Sequence, residues 1–318
     1  MKDHFDPQAY HPHFQWGFLH PKYWGTWLAV GSAALISLLP HRWRLALATV
    51  FAKLAIKRSS KANIRARVNL AMCFPDKTEQ EREALLLQSL ITAGTFLMGF
   101  AAMSTRSRRW LEQNTVIRGE EHLQAQKDSC SNTILLVPHT WAIDVPAVLL
   151  ASRGLPVVGM AKKQKNAVTD WLMHRQRVQY GGRIYERSSG IKPFIRSIKE
   201  GYLGYYLPDE DLGPDHSVFV DFFATTKATM SGLGRLSKLS RAKVIPLCAI
   251  YNLETGQYEI DIRPPLDPFP METEEQNART MNACLEDFIN MGPEQYMWIL
   301  RLLKTRPKGG KNPYNTSA

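Results

Sequence analysis

Residues Thr133–Asp144 read TILLVPHTWAID. The run Ile134–Val137 is wholly apolar, and Pro138 and His139 stop it, which is how a buried strand ends. Asp144 follows His139 by five residues. On an α-helix that offset is about 140° around the axis, so the two do not share a helical face. His139 is therefore expected on the turn after the strand, with Asp144 in the first turn of the next helix. From there the carboxylate can reach back to one imidazole nitrogen. A histidine held this way has its tautomer fixed and its other nitrogen free to take a proton. It can act as general base for a hydroxyl when its pKa lies near working pH. The plainer reading is a helix-capping aspartate beside a satisfied core or surface histidine, and the spacing alone does not choose between them.

Working outward, short strands and helices alternate from about Val116. Apolar strand candidates are Ile134–Val137, Pro156–Met160, Arg183–Tyr185, Gly204–Leu207, Val244–Tyr251 and Tyr258–Ile262. Helical stretches fall at Ala142–Ala151, Ala167–Gln179, Ile191–Glu200 and Lys227–Ser240. This alternation predicts an α/β fold with helices over a mostly parallel central sheet. Ligands of such sheets gather at the carboxyl ends of the strands, where His139 sits. Other strand ends are polar too. Glu186–Arg187 follows one, Pro208–Asp209–Glu210–Asp211–Leu212–Gly213–Pro214 another, and Pro246 interrupts a third. Arg187 can clamp a phosphate or carboxylate through its planar fork, or make a surface ion pair. Asp209 and Asp211 can hold a divalent cation through hard oxygens, or fix an arginine and cap a turn. Phe219, Phe222 and Phe223 read as core residues, with an acyl-chain wall as the weaker alternative. GxGxxG, P-loop, GxSxG and HExxH patterns are absent, so those chemistries have no support.

The chain before Val116 is different. Residues 1–22 are polar and aromatic, with Asp3, Asp6 and four histidines. Tyr23–Leu39 carries no charge and is bracketed by Trp24, Trp27 and Trp43. It is slightly short for a spanning helix, and interfacial tryptophans favour a membrane anchor over a buried helix. Lys and Arg residues from Arg42 to Arg67 follow with no acidic residue among them, which places that side in the cytoplasm if the anchor spans. Trp43, Leu47, Val50, Phe51 and Leu54 keep helical spacing, with Lys53 and Lys57 on another face. That is the pattern of a basic amphipathic helix on an anionic bilayer. Thr78 and Glu81 form a capping box for an uncharged helix, Ala84–Thr105, read as buried or membrane-dipping. Three regions are expected: an arm and anchor (1–40), basic and apolar helices (41–115) and the α/β domain (116–318). The tail Lys304–Ala318, rich in Gly and Pro, is expected to be loosely held.

The 318 residues carry 40 Lys and Arg against 29 Asp and Glu, a formal charge of +11 that favours anionic partners. Four cysteines, far apart and without a CxxC pair, give no zinc ribbon, redox motif or disulfide framework. Neither a metal nor a cofactor is called for.

The blocks HTWAID, GGRIYER, YYLPDEDLGP and VIPLCAIY follow one another in the order of the lysophospholipid and glycerolipid acyltransferase superfamily. More closely, the chain resembles the secondary acyltransferases that finish lipid A in Gram-negative bacteria. HPKYWGTWL, GIKPFIRSI, GYYLPDEDLGPDHSVFVDFFATTKAT and PEQYMWILRLLKTRP are similar to its late-acting, myristoyl-transferring type. The resemblance covers nearly the whole chain. It implies an inner-membrane enzyme, single-pass with its catalytic domain on the cytoplasmic side. It also implies transfer of an acyl chain from acyl carrier protein to the hydroxyl of a 3-hydroxyacyl chain on a lipid A precursor. On the matching positions His139 is the general base, Asp144 the acid that orients it, and Arg187 a contact to acceptor phosphate. Asp209 and Asp211 stand where the glycerolipid enzymes carry a Pro-Glu-Gly signature, as substrate-binding candidates. Lys162, Lys163 and Lys165 can face the acidic carrier. Inner-membrane anionic lipids are the other expected partner, and nucleic acid is not one. The competing readings are a lauroyl-type or other lysolipid acyltransferase, a metal-dependent glycosyltransferase using Asp209-Glu210-Asp211, and a non-catalytic binder of anionic lipid or nucleic acid.

Overall fold

A computed structural model describes residues 6–307 and 310–315; Asp3 of the arm and the last residues of the tail lie outside them. Four longer helices come first: α1 (Trp24–Ile36), α2 (His41–Ala55), α3 (Lys61–Cys73) and α4 (Glu79–Gly99). Two short ones, α5 (Ala102–Thr105) and α6 (Arg108–Gln113), lead into the α/β region. There the order is β1 (Thr115–Arg118), α7 (Glu120–Asp128), β2 (Asn132–Leu136), α8 (Asp144–Ser152), β3 (Val157–Ala161), α9 (Ala167–Val178) and β4 (Arg183–Glu186). It continues with α10 (Lys192–Lys199), β5 (Leu203–Tyr206), β6 (Ser217–Phe222), β7 (Thr225–Met230), α11 (Leu233–Ser240), β8 (Ala242–Tyr251), β9 (Tyr258–Ile262) and α12 (Glu274–Met291).

Seven strands form one sheet in the order β1-β9-β8-β2-β5-β3-β4. Every pairing is parallel except β8 with β9. The α/β expectation therefore holds. β2 is central, flanked by β5 and β8, and its last four residues are buried. That is why Ile134–Leu136 is an unbroken apolar run rather than an alternating one. One helix of the sequence reading needs correcting. Lys227–Ser240 begins as a strand, β7, paired antiparallel with β6 in a separate hairpin, and turns helical only at Leu233. Thr225, Thr226 and Thr229 are β-branched and suit that strand. Phe222 is buried in the core, while Phe219 on the same hairpin faces outward.

The helices before β1 are not a separate body of core. Ala66, Leu70, Cys73 and Leu86 share one hydrophobic cluster with Ile134, Leu136 and Val244 of the sheet. The capping box forms as expected: Thr78 Oγ1 accepts from the Glu81 N–H, and the Glu81 carboxylate accepts from the Thr78 N–H.

The stretch read as an anchor, Tyr23–Leu39, forms a helix shorter than its apolar run. α1 has 13 residues, and Ser37–Pro40 turn the chain into α2. At 1.5 Å per residue α1 is about 20 Å long, well short of a ~30 Å hydrocarbon core. None of its residues is buried. In α2 the small residues Ala48 and Ala52 face inward, while Trp43, Val50, Phe51 and Leu54 are more than half exposed. Among the described residues, one stretch, Glu79–Thr105, is long and apolar enough to cross a membrane, and 44% of its apolar window is buried in the fold.

The tail also differs from expectation. Thr305 donates through its N–H and hydroxyl to Asp211, Arg306 reaches the Thr226 carbonyl, and the Tyr314 hydroxyl joins the Leu303 N–H to Asn69. Residues 308–309 and 316–318 are outside the described part.

Candidate active site

β2 ends at Leu136, and α8 starts at Asp144, so His139 lies on the connecting loop. The loop is tied down on both sides. The Met297 N–H donates to the His139 carbonyl at 2.9 Å, and the Trp141 N–H donates to the Gln295 carbonyl at 3.0 Å. Thr140 Oγ1 donates to the Ala249 carbonyl on β8, and Trp141 Nε1 to Ser89 Oγ on α4. Three distant segments thus fix the loop around one histidine.

The carboxylate that holds His139 comes from the loop after β5. Asp209 is fully buried. Its Oδ2 accepts the His139 backbone N–H at 2.9 Å, and its Oδ1 lies 3.2 Å from Nδ1 of the ring. Asp144 does not perform this task. Its two oxygens receive Nε and Nη2 of Arg177 at 3.0 and 3.1 Å, a bidentate fork. The geometry explains why. Asp144 begins α8, whereas β5 runs beside β2 and the Val137 N–H still donates to the Tyr206 carbonyl of β5. Asp209, one residue after Pro208, is therefore nearer the ring than the next helix.

The electrostatics follow from this burial. Burial disfavours a charged imidazole, but the charge and hydrogen bond of Asp209, with Glu210 beyond, carry His139 above its ordinary value. Burial likewise disfavours the Asp209 carboxylate, yet His139 and then Lys227 hold its pKa low. Lys227, itself buried on β7, is pulled down by desolvation and propped up by Asp209 and Asp211. The Tyr296 hydroxyl is buried beside Asp209 without reaching hydrogen-bond geometry.

The free side of the ring, Nε2, lies 4.0 Å from Glu210 Oε1. Glu210 is clasped by Arg187 through both guanidinium Nη atoms, with Nη2 to Oε1 at 2.8 Å. Here the ring borders a cavity of about 490 Å³. Apolar side chains, including Phe100, Trp141, Ile143 and Met173, form much of its wall. His139, Lys162, Gln164, Arg177 and Arg187 add polar groups.

Of the residues singled out in the sequence, the structure joins His139 to Asp209 and places Arg187 and Asp144 on the same cavity. It takes Asp211 away. That carboxylate accepts from Thr305 and from the Gly213 N–H, and it fixes the C-terminal segment. The three acids Asp209, Glu210 and Asp211 point to three different partners, so they do not converge as a cation cage would require. Sequence reasoning missed Arg177 and Lys227, and it gave Glu210 a role only within the metal-site alternative. Arg177 and Lys227 lay inside segments read only as helices.

A family model for bacterial lipid A biosynthesis acyltransferases matches residues 11–305. A lipid A biosynthesis myristoyltransferase of Escherichia coli is 42% identical over 305 residues, covering 96% of this chain and 94% of that protein. A lipid A biosynthesis acyltransferase of Haemophilus influenzae is 41% identical over 307 residues, 96% of each chain. A lipid A biosynthesis lauroyltransferase of Escherichia coli is 32% identical over 308 residues, covering 95% and 99%. Among solved structures, the 1-acyl-sn-glycerophosphate acyltransferase PlsC of Thermotoga maritima aligns with 14% identity and a TM-score of 0.38, over 78% of this chain and 97% of that one. By the family model and these identities along nearly its whole length, the chain belongs to the bacterial lipid A biosynthesis acyltransferases.

Proposed function

We propose that this acyltransferase moves a fatty acyl chain from an acyl carrier protein thioester to the hydroxyl of a 3-hydroxyacyl chain on a lipid A precursor. The observation that carries the reading is the His139–Asp209 pair, buried on its Nδ1 side and open to an apolar cavity on its Nε2 side. With Nδ1–H directed at Asp209, Nε2 carries the lone pair and takes the hydroxyl proton. The oxygen attacks the thioester carbonyl, and the tetrahedral intermediate collapses by breaking the C–S bond. The imidazolium returns the proton to the departing thiolate. Asp209 stabilises the imidazolium formed in passing, as a buried carboxylate beside a catalytic histidine does. Burial pushes the thiols of Cys73 and Cys248 up to about 12, which suits inert packing rather than an acyl-enzyme nucleophile.

Arg187 is the contact for acceptor phosphate in this reading. Its fork is engaged with Glu210, so an incoming phosphate competes with that carboxylate. The greater similarity to the myristoyltransferase (42%) than to the lauroyltransferase (32%) supports the late, myristoyl-type step. The exposed apolar faces of α1 and α2, with their basic flank, support attachment to an anionic inner-membrane surface from the cytoplasmic side, lying in the interface rather than crossing it. Lys162, which lines the cavity wall, is in this reading a contact for the acidic carrier.

The test is incubation of the detergent-solubilised protein with acyl carrier proteins of defined chain length and an under-acylated, Kdo-bearing precursor, read by mass spectrometry of the lipid. A gain of one acyl chain, absent in His139→Ala, is expected. No gain with any donor, or an equal gain in the variant, overturns the reading.

A further inference from the structure

A second cavity, of about 230 Å³, adjoins the one that opens on His139. Ile191 and Phe194 at the start of α10, Tyr206 on β5, Leu212, and Met230 at the end of β7 line it. Met160, Tyr205 and Leu207 belong to the walls of both cavities, and so do Arg187 and Glu210. The boundary between the two spaces is thus apolar except at that ion pair and the Tyr205 hydroxyl, which donates to the Ile143 carbonyl. We infer that this second cavity is a binding site for the acceptor's 3-hydroxyacyl chain, and that the larger cavity takes the donor's chain. The inference rests on the acyltransferase reading above.

Three observations carry it. First, Glu210 Oε1 is 4.0 Å from His139 Nε2, so the boundary of the second cavity is where a hydroxyl must sit to lose its proton. Second, a 3-hydroxyacyl chain has its hydroxyl near the head group and a hydrocarbon tail beyond it. With the hydroxyl at that boundary, the tail needs an apolar space running away from the histidine, and the second cavity, which His139 does not line, is one. Third, Lys162 sits on the wall of the larger cavity, where Arg177 and Arg187 already face the carboxylates of Asp144 and Glu210. Positive charge there suits a donor delivered by an acidic carrier. Two tails on opposite sides of one ion pair would bring hydroxyl and thioester together at the ring.

The two cavities separate in steady-state kinetics. Met230→Trp fills the second cavity, and Leu212→Trp does so from a position that is 41% exposed, where loss of folding is not expected. Either variant is expected to raise the acceptor KM at least tenfold, with donor KM and donor chain-length preference unchanged. Gly159→Leu is the mirror variant. Gly159 lines the larger cavity, and a Cβ there would meet only Ile184 Cδ1, at an ordinary 3.5 Å. It is expected to shift donor preference to shorter chains and leave the acceptor KM alone. A donor-preference shift in Met230→Trp or Leu212→Trp, or no change of either parameter in Leu212→Trp, overturns the assignment. Absence of transfer by the unsubstituted enzyme to any hydroxyl is a different failure, that of the acyltransferase reading itself.

Discussion

Two aspartates of the site have different tasks, and substitution separates them. Asp209→Asn keeps the shape but removes the charge that raises the His139 pKa. On the proposed mechanism His139 must be neutral to act, so activity is expected to climb as pH rises through that pKa. The variant's acid limb is expected to move to lower pH and its plateau to fall by about 10²–10⁴-fold, the usual worth of a positioned acid–base group; a pH–rate profile of both proteins checks this. Asp144→Asn is expected to leave the limb in place. It removes the charge facing Arg177, at a cost of about 1–3 kcal/mol in thermal denaturation, and adding Arg177→Met should recover part of the loss. The sequence showed His139 and its loop because an apolar strand ending in Pro-His is a local pattern. It misassigned the partner because the choice between Asp144 and Asp209 is made by strand adjacency. β5 lies beside β2, 70 residues away in the chain, and spacing cannot express that.

Elements were legible in proportion to how local their signals are. The strands β2, β3, β4, β5, β8 and β9 fell within two residues of their apolar runs, and the Thr78–Glu81 box marked the start of α4. The β6–β7 hairpin was missed because Ser217–Met230 mixes polar and apolar residues without either period, and pairing settles it. In α2 the stripe Trp43–Leu54 was visible and was read as a face turned to a bilayer, and its residues are exposed. It faces out because α2 packs on α4 through small residues: a Cβ at Gly94 would lie 3.1 Å from the Ala48 Cβ. Gly94→Leu is therefore expected to destabilise the protein by about 1–3 kcal/mol through overpacking, seen as a lower melting temperature. Phe51→Ser with Leu54→Ser is expected to cut binding to phosphatidylglycerol vesicles several-fold in cosedimentation while sparing turnover in detergent micelles. Equal vesicle binding would remove α2 from the membrane surface.

At the scale of the whole molecule, the N-terminal arm straps the far edge of the sheet. The Tyr10 N–H donates to the Ile184 carbonyl on β4, and buried Asp6 accepts from Tyr185 and Arg196. Burial opposes the Asp6 carboxylate, but those hydrogen bonds and the Arg196 charge bring its pKa down to about 2. A lowered folded-state pKa gives stability that is present above the unfolded value near 4 and is lost as pH falls toward 2. Asp6→Asn is expected to flatten the decline of melting temperature over that window, with a loss of at most about 2 kcal/mol at neutral pH. No sequence pattern announced the strap, since a lone aspartate in a polar arm has no period. Its length in the chain has a consequence in time. Asp6 is made well before its partner, since Tyr185 follows it by 179 residues. At roughly 5–20 residues per second, about 10–40 s pass before the buried acid has a partner. On the proposed attachment, α1 and α2 can lodge in lipid during that interval while the sheet that carries the candidate site is still unfinished, so attachment would precede competence.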